Sequence, residues 1–168
     1  MLTETAIREQ IPRLRRYARA LTSNRDTADD LVQDTLERAL SRSALFRPGG
    51  DARPWLFTIM HNVFVNQVRS AATRKTSQLS DDAIELTSQD TTQDGLALRD
   101  LERALEQVPG DQREILLLIG LEDLSYAETA AVVGVPVGTV MSRLSRGRER
   151  LRAALAGATE VASLKVIK

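Results

Sequence analysis

The stretch "GVPVGTVMSRLSRGRERL", Gly134–Leu151, decides how the chain is read. It opens on a tight Gly/Pro turn and continues in helical periodicity. At 100° per residue, Val140, Leu144, Gly147, Leu151 and the following Leu155 form a narrow stripe that must turn inward. Gly138, Ser142, Ser145, Arg146 and Glu149 fall on the opposite side, with Arg143 and Arg150 on one flank and Arg148 and Arg152 on the other. From Arg143 to Arg152 every charged residue but Glu149 is arginine, in a chain of formal net charge zero. An outward face that is small and polar lets a helix sink into the major groove, where one arginine can contact guanine bidentately. Flanking arginines suit phosphates, which position a helix without reading sequence. Glu149 on the same face implies that only the first turns approach DNA. The plainer alternative is a solvated amphipathic helix kept soluble by its charges.

The segment just upstream favours the DNA reading. "SYAE" has the form of a capping box, with Ser125 at N-cap and Glu128 at N3. Gly134 supplies the left-handed residue that stops the helix it opens. A capped helix, a short turn and a basic helix follow the order of a helix-turn-helix.

Composition narrows the field. The 168 residues hold no cysteine and one histidine, His61, so disulfides, thiolate metal sites, cysteine nucleophiles and multi-histidine metal centres are excluded. No phosphate-cradling glycine loop is present, and no run approaches a membrane span. The expectation is a soluble cytoplasmic protein, not an enzyme, with no cofactor and no metal. Charge is partitioned along the chain. Residues 51–76 set Arg53, Arg69, Arg74 and Lys75 against Asp51 alone, whereas residues 77–95 carry Asp81, Asp82, Glu85, Asp90 and Asp94 with no basic residue.

"SQLSDDAIELTSQDTTQDG", Ser77–Gly95, is polar, acidic and without aromatics, and reads as a linker. As a coil its ends average roughly 25 Å apart, and fully extended it reaches about 60 Å. A long surface loop inside one domain is the alternative. Helical spacing marks both sides of it. Ile7, Ile11, Leu14, Ala18 and Leu21 form one apolar stripe; Ala28, Leu31, Val32, Thr35, Leu36 and Ala39 form a second, with Asp26 as its cap. After the "FRPGGDAR" loop, Pro54 suits the first turn of a third helix running to about Ala72. Beyond the linker, Leu98, Leu101 and Leu105 mark one helix, ended by "VPGD", and Ile115, Leu116, Leu118 and Ile119 mark the next. No strand-type alternation is sustained. The fold expected is all-α, two small helical domains on a flexible acidic linker.

"LSYAETAAVVGVPVGTVMSRLSRGRERL" resembles the promoter-binding helix-turn-helix of bacterial extracytoplasmic-function sigma factors, and "DDLVQDTLERAL" and "PWLFTIMHNVFVNQVR" resemble the signature segments of their other domain. The likeness covers nearly the whole chain in the right order. It implies sigma region 2 over residues 1–76, the linker over 77–95, sigma region 4 over 96–156 and a tail over 157–168. It also implies an alternative sigma factor that binds core RNA polymerase, at its clamp coiled coil and flap, directs initiation at particular promoters and answers to an anti-sigma factor.

Motif by motif, the resemblance implies roles. Asp30, Gln33, Asp34 and Glu37, at i, i+3, i+4 and i+7 on one helix face, would dock on the clamp coiled coil. Stabilisation of a helix N-terminus accounts for Asp30 equally well, but Glu37 lies too far along. Asn62, Asn66 and Arg69, at i, i+4 and i+7, would recognise the −10 element as it melts, with a flipped base captured near the Leu45–Arg53 loop. Trp55, beside Leu56 and Ile59, reads as core before it reads as a stacking platform, and His61 as a surface or phosphate-proximal residue. Ser142, Ser145 and Arg146, which the helical wheel selects independently, would read the −35 element, while Thr139, Arg143 and Arg148 hold phosphates. Met141 stands where relatives often carry Arg or Lys, which implies one DNA contact fewer. A sigma mimic that sequesters an anti-sigma factor would be expected to carry a receiver domain or an eroded recognition helix. A dimeric helix-turn-helix regulator leaves the N-terminal half without a role.

Overall fold

The computed structural model describes residues 2–75 and 93–166, with side chains in the last helix described to Gly157. The N-terminal half comprises α1 (Glu4–Thr22), α2 (Arg25–Ser41), a single 3-10 turn (Ser43–Leu45) and α3 (Ala52–Lys75). The C-terminal half comprises α4 (Gln93–Glu106), α5 (Gly110–Gly120), α6 (Tyr126–Val133) and α7 (Val137–Val166). Among the described residues there is no strand. Most of the segment expected as linker lies outside the described residues; its last three residues, 93–95, form the start of α4. The α7 backbone continues through the segment expected as a tail, as far as Val166.

Local chemistry sets the helix ends. The Thr3 hydroxyl accepts the Ala6 N–H at 3.2 Å to start α1, and Ser23, at φ 55°, ends it. The cap of α2 is Asn24, whose Oδ1 accepts the Thr27 N–H at 3.0 Å; Asp26, the expected cap, sits inside the first turn. An extended backbone at Asn24 gives its side chain the N-cap geometry. Asp51 accepts the Arg53 N–H at 2.9 Å and precedes α3, with Pro54 in the first turn as expected. The capping box forms on α6: Ser125 Oγ accepts the Glu128 N–H at 3.1 Å and Glu128 Oε2 accepts the Ser125 N–H at 2.8 Å. Gly134, at φ 71°, ends α6 in the left-handed conformation.

The predicted apolar stripes of α1 and α2 are inside: Leu14, Ala18, Leu31 and Ala39 are fully buried. Tyr17 meets Phe57 edge-on at 5.0 Å, tying α1 to α3. The helix expected from Leu98, Leu101 and Leu105 forms as α4. Of those three leucines Leu105 is buried, with Ala104 beside it, while Leu98 and Leu101 are exposed. Period alone does not say how far along a helix its packing partner extends.

The two halves pack on each other. Leu117, Leu118, Leu124 and Val132 of the C-terminal half belong to the same buried cluster as Leu14, Leu56 and Met60. A second cluster, Ile115, Ala130, Val140 and Leu144, holds the helix-turn-helix together. The sequence pattern locates both sets of apolar residues but does not show that one core runs through both halves.

Candidate nucleic-acid interface

α6, the turn Gly134–Pro136 and α7 form the expected helix-turn-helix. The stripe chosen from periodicity turns inward: Val140 is fully buried, Leu144 and Gly147 are buried, and Leu151 and Leu155 are half-buried. Gly147 has a steric reason to be glycine. A Cβ there would stand 3.1 Å from the Leu116 side chain and 3.4 Å from Gln112 Cβ, so its absence lets α7 lie close on α5.

That approach fixes which side chains point away. Ser145, Arg146 and Arg148 are exposed, while Thr139, Ser142 and Arg143 are half-buried. The Ser142 hydroxyl donates to the Thr139 carbonyl at 3.1 Å. Arg143 is not equivalent to the other arginines, because its Nε lies 3.6 Å from Asp111 Oδ2 on α5. The sequence pattern treats Arg143 and Arg148 alike; the pairing across α5 and α7 separates them. Beside this face lies an open groove of about 240 Å³, lined by Tyr126, Met141, Leu144, Ser145, Arg148 and Arg152. Tyr126 and Met141, exposed at 40% and 52%, give it an apolar lip that helical periodicity did not single out.

On α3, Asn62, Asn66 and Arg69 are all exposed and share one face, as their spacing requires. The preceding loop leaves Leu45 and Arg47 exposed, and Gly49 takes φ 78°. Trp55 is half-buried and meets Phe46 edge-on at 5.4 Å, so it anchors the loop to α3. Burial pushes the Asp51 carboxyl up, but the Arg53 N–H and guanidinium outweigh it and hold it below the usual carboxylate range.

On α2, Asp30, Gln33 and Glu37 are exposed and Asp34 is half-buried. Gln33 Nε2 donates to Glu37 Oε1 at 3.4 Å, and Gln67 Nε2 of α3 donates to Asp34 Oδ2 at 3.1 Å. The four therefore share an acidic, hydrogen-bonding face suited to a basic partner, with Gln33 bonded to Glu37 and Asp34 held from α3.

His61 departs from its expected place at the surface. Its side chain is only 15% exposed, and Nδ1 is hydrogen-bonded to Glu114 Oε1 of α5. The docking of α5 against the N-terminal half covers it, and nothing local to α3 announces that contact. Among the described residues no cluster of His, Asp and Glu is arranged to hold a metal, and no helix is long and apolar enough to cross a membrane.

Comparison with known proteins agrees with this arrangement. Residues 98–151 match the family described as sigma-70, region 4, and residues 7–61 match the sigma2 domain of PhyR. The chain is 41% identical over 145 residues to an ECF RNA polymerase sigma factor, EcfG, of Rhodopseudomonas palustris (strain TIE-1), covering 86% of this chain and 80% of that one. Its fold is similar to that of the sigma factor RpoE solved in complex with the anti-sigma factor NepR from Bartonella quintana, at TM-score 0.78 and 36% identity, over 89% of this chain and 95% of that one. It is also similar to CnrH, solved with the cytosolic domain of CnrY, at TM-score 0.66 and 26% identity, over 92% and 90% of the two chains. A relative this similar over most of both chains, together with an intact helix-turn-helix in the region 4 position, places the chain in the extracytoplasmic-function RNA polymerase sigma factors of the sigma-70 family, the alternative initiation factors of bacterial transcription.

Proposed function

We infer that this sigma factor works in the cytoplasm, has no enzymatic activity of its own, and uses three separate surfaces. Ser142, Ser145 and Arg146 read the −35 element, with Thr139, Arg143 and Arg148 at its phosphates. Asn62, Asn66 and Arg69 read the −10 element. Asp30, Gln33, Asp34 and Glu37 dock on the clamp coiled coil of core RNA polymerase, and region 4 contacts the flap. The observation that carries the −35 assignment is the outward placement of Ser145 and Arg146 on a helix fixed from behind by Val140, Leu144 and Gly147. Small polar neighbours around one guanidinium give the groove fit that bidentate guanine recognition needs. The solved relatives bound to NepR and CnrY support an anti-sigma protein as a further partner.

In vitro transcription with core polymerase on a pool of genomic promoters tests this reading. Specific run-off products sharing a −35 and a −10 sequence are expected. The region 2 match to PhyR raises a second reading, a mimic that sequesters an anti-sigma factor. Absence of specific products, together with tight binding of an anti-sigma protein, would establish the mimic instead.

A further inference from the structure

Two large apolar side chains stand in water beside the outward face of α7. Met141 is 52% exposed, and Tyr126, the first residue of α6, is 40% exposed. They flank the open groove, whose floor is the buried Leu144. Met141, Ser145, Arg148 and Arg152, at i, i+4, i+7 and i+11, form its α7 wall.

The groove is built by the fold. Tyr126 directly follows the cap in which Ser125 and Glu128 exchange hydrogen bonds. The turn then closes on itself. The Gly134 and Val135 N–H groups donate to the Ala130 carbonyl at 2.9 and 3.2 Å, and the Pro136 carbonyl accepts the Thr139 and Val140 N–H groups at 3.0 and 3.1 Å. Ala130, Val140 and Leu144 are buried together with Ile115. The position of α6 against α7, and so of Tyr126 against Met141, is set by these contacts.

The lining chemistry points to one kind of occupant. It holds two guanidiniums and no carboxylate, which suits a polyanion. Its volume, about 240 Å³, falls below the roughly 300–1,000 Å³ of sites that enclose a small organic ligand. The occupant therefore offers an edge rather than its whole body. Ser145 belongs both to this wall and to the small polar face around Arg146, so the groove continues the DNA-reading face. Methionine has no hydrogen-bond donor and only a weak acceptor, so Met141 gains by covering an apolar group. In the major groove that group is the C5-methyl of thymine; the other base edges present hydrogen-bonding atoms. A lysine or arginine at this position would seek a phosphate or a base acceptor instead. The departure at Met141 thus exchanges a polar contact for an apolar one and does not merely remove a contact.

We propose that Met141, backed by Tyr126, is a specificity-determining residue of the −35 contact that covers the C5-methyl of one thymine, with Arg148 and Arg152 at the phosphates on that side. The proposal rests on the outward −35 face of α7 assigned above.

Replacing thymine by uracil removes only the methyl group and so tests this directly. On a promoter taken from the run-off pool, each thymine of the −35 element, on either strand, is exchanged singly for deoxyuridine. Binding is measured by competition with the full chain assembled on core polymerase. The unaltered holoenzyme is expected to lose about fourfold in affinity at one thymine position, the effect of returning one methyl group to water. Met141→Ala is expected to bind thymine and uracil promoters equally, while Met141→Leu keeps the preference. Uracil tolerated at every position overturns the proposal, as does a preference that persists in Met141→Ala, or a −35 element made of G·C pairs alone. Arg146→Ala on the same promoter separates the two readings. A loss with Arg146→Ala and no response to uracil removes the methyl contact and leaves the −35 assignment standing. A Met141-dependent response to uracil without any loss in Arg146→Ala removes Arg146 from the reading set and leaves the methyl contact standing.

Discussion

At the scale of single residues, position in the fold divides a set of arginines that look alike in sequence. Arg143 is held beside Asp111, whereas Arg146 stands exposed among Ser142, Ser145 and Gly138. A guanidinium already paired within the protein loses less entropy on meeting a phosphate; an unpaired one at the centre of a small polar face is free to turn to a base edge. Arg146→Ala is therefore expected to cost about 1–3 kcal/mol at a cognate −35 element and to relax base preference there. Arg148→Ala should weaken binding to all sequences alike and lower the salt dependence of binding by about one ion. Fluorescence anisotropy on matched and mismatched −35 duplexes, across a salt series, separates the two. Equal losses on both duplexes for Arg146→Ala would remove it from the reading set. The wheel located Arg146 because its inward and outward faces are set by local periodicity. It was silent on the His61–Glu114 and Arg16–Glu122 pairs, whose partners lie 53 and 106 residues apart in the chain.

At the scale of elements, α7 is held by α6 and α5, and the closeness of the second contact depends on Gly147. The helix ends were legible because caps are local: "SYAE" forms both of its reciprocal bonds, and Gly134 takes the left-handed turn. The misassigned cap of α2 shows the limit of that reading, since Asn24 and Asp26 are both competent caps and only the backbone at Asn24 selects between them. The helix marked by Leu98, Leu101 and Leu105 was legible, but that Leu105 alone of the three is buried was not, because burial depends on which neighbour arrives from elsewhere in the chain. Gly147 combines the two cases. Its place on the inward stripe was readable, but the need for glycine follows from Leu116 and Gln112 of α5. Gly147→Leu forces α7 away from α5, and an overpacked contact of this kind typically costs about 1–3 kcal/mol. Urea unfolding should show that loss. Binding to a −35 duplex should fall as well, because Ser145 and Arg146 then ride on a tilted helix. Unchanged stability would mean that Leu116 can rotate aside and that the close approach is incidental.

At the scale of the whole molecule, the fold class and the order of its parts were readable, whereas the closed packing of the two halves was not. Helical stripes on either side of an acidic, apolar-poor segment state that there are two packing units; they do not state that Leu117, Leu124 and Val132 share a core with α1 and α3. That packing leaves one surface untouched. Asp30, Gln33 and Glu37 remain exposed while α3 and α1 receive the C-terminal half. The acidic face of α2 is thus left uncovered by the packing of the two halves. Reversing charge there, in Asp34→Lys/Glu37→Lys, is expected to weaken core polymerase binding by more than about tenfold, because two attractive charges become two repulsive ones against a basic surface. The fold should survive. The change removes the Gln67–Asp34 and Gln33–Glu37 hydrogen bonds, each contributing about 1 kcal/mol, and leaves the buried stripe Ala28, Leu31, Val32 and Thr35 intact. Circular dichroism reads the second expectation, and titration of labelled sigma with core polymerase at two salt concentrations reads the first. A variant that keeps its helicity and binds core polymerase as tightly as the parent would show that this face does not dock, and would require the polymerase contact to lie on another surface.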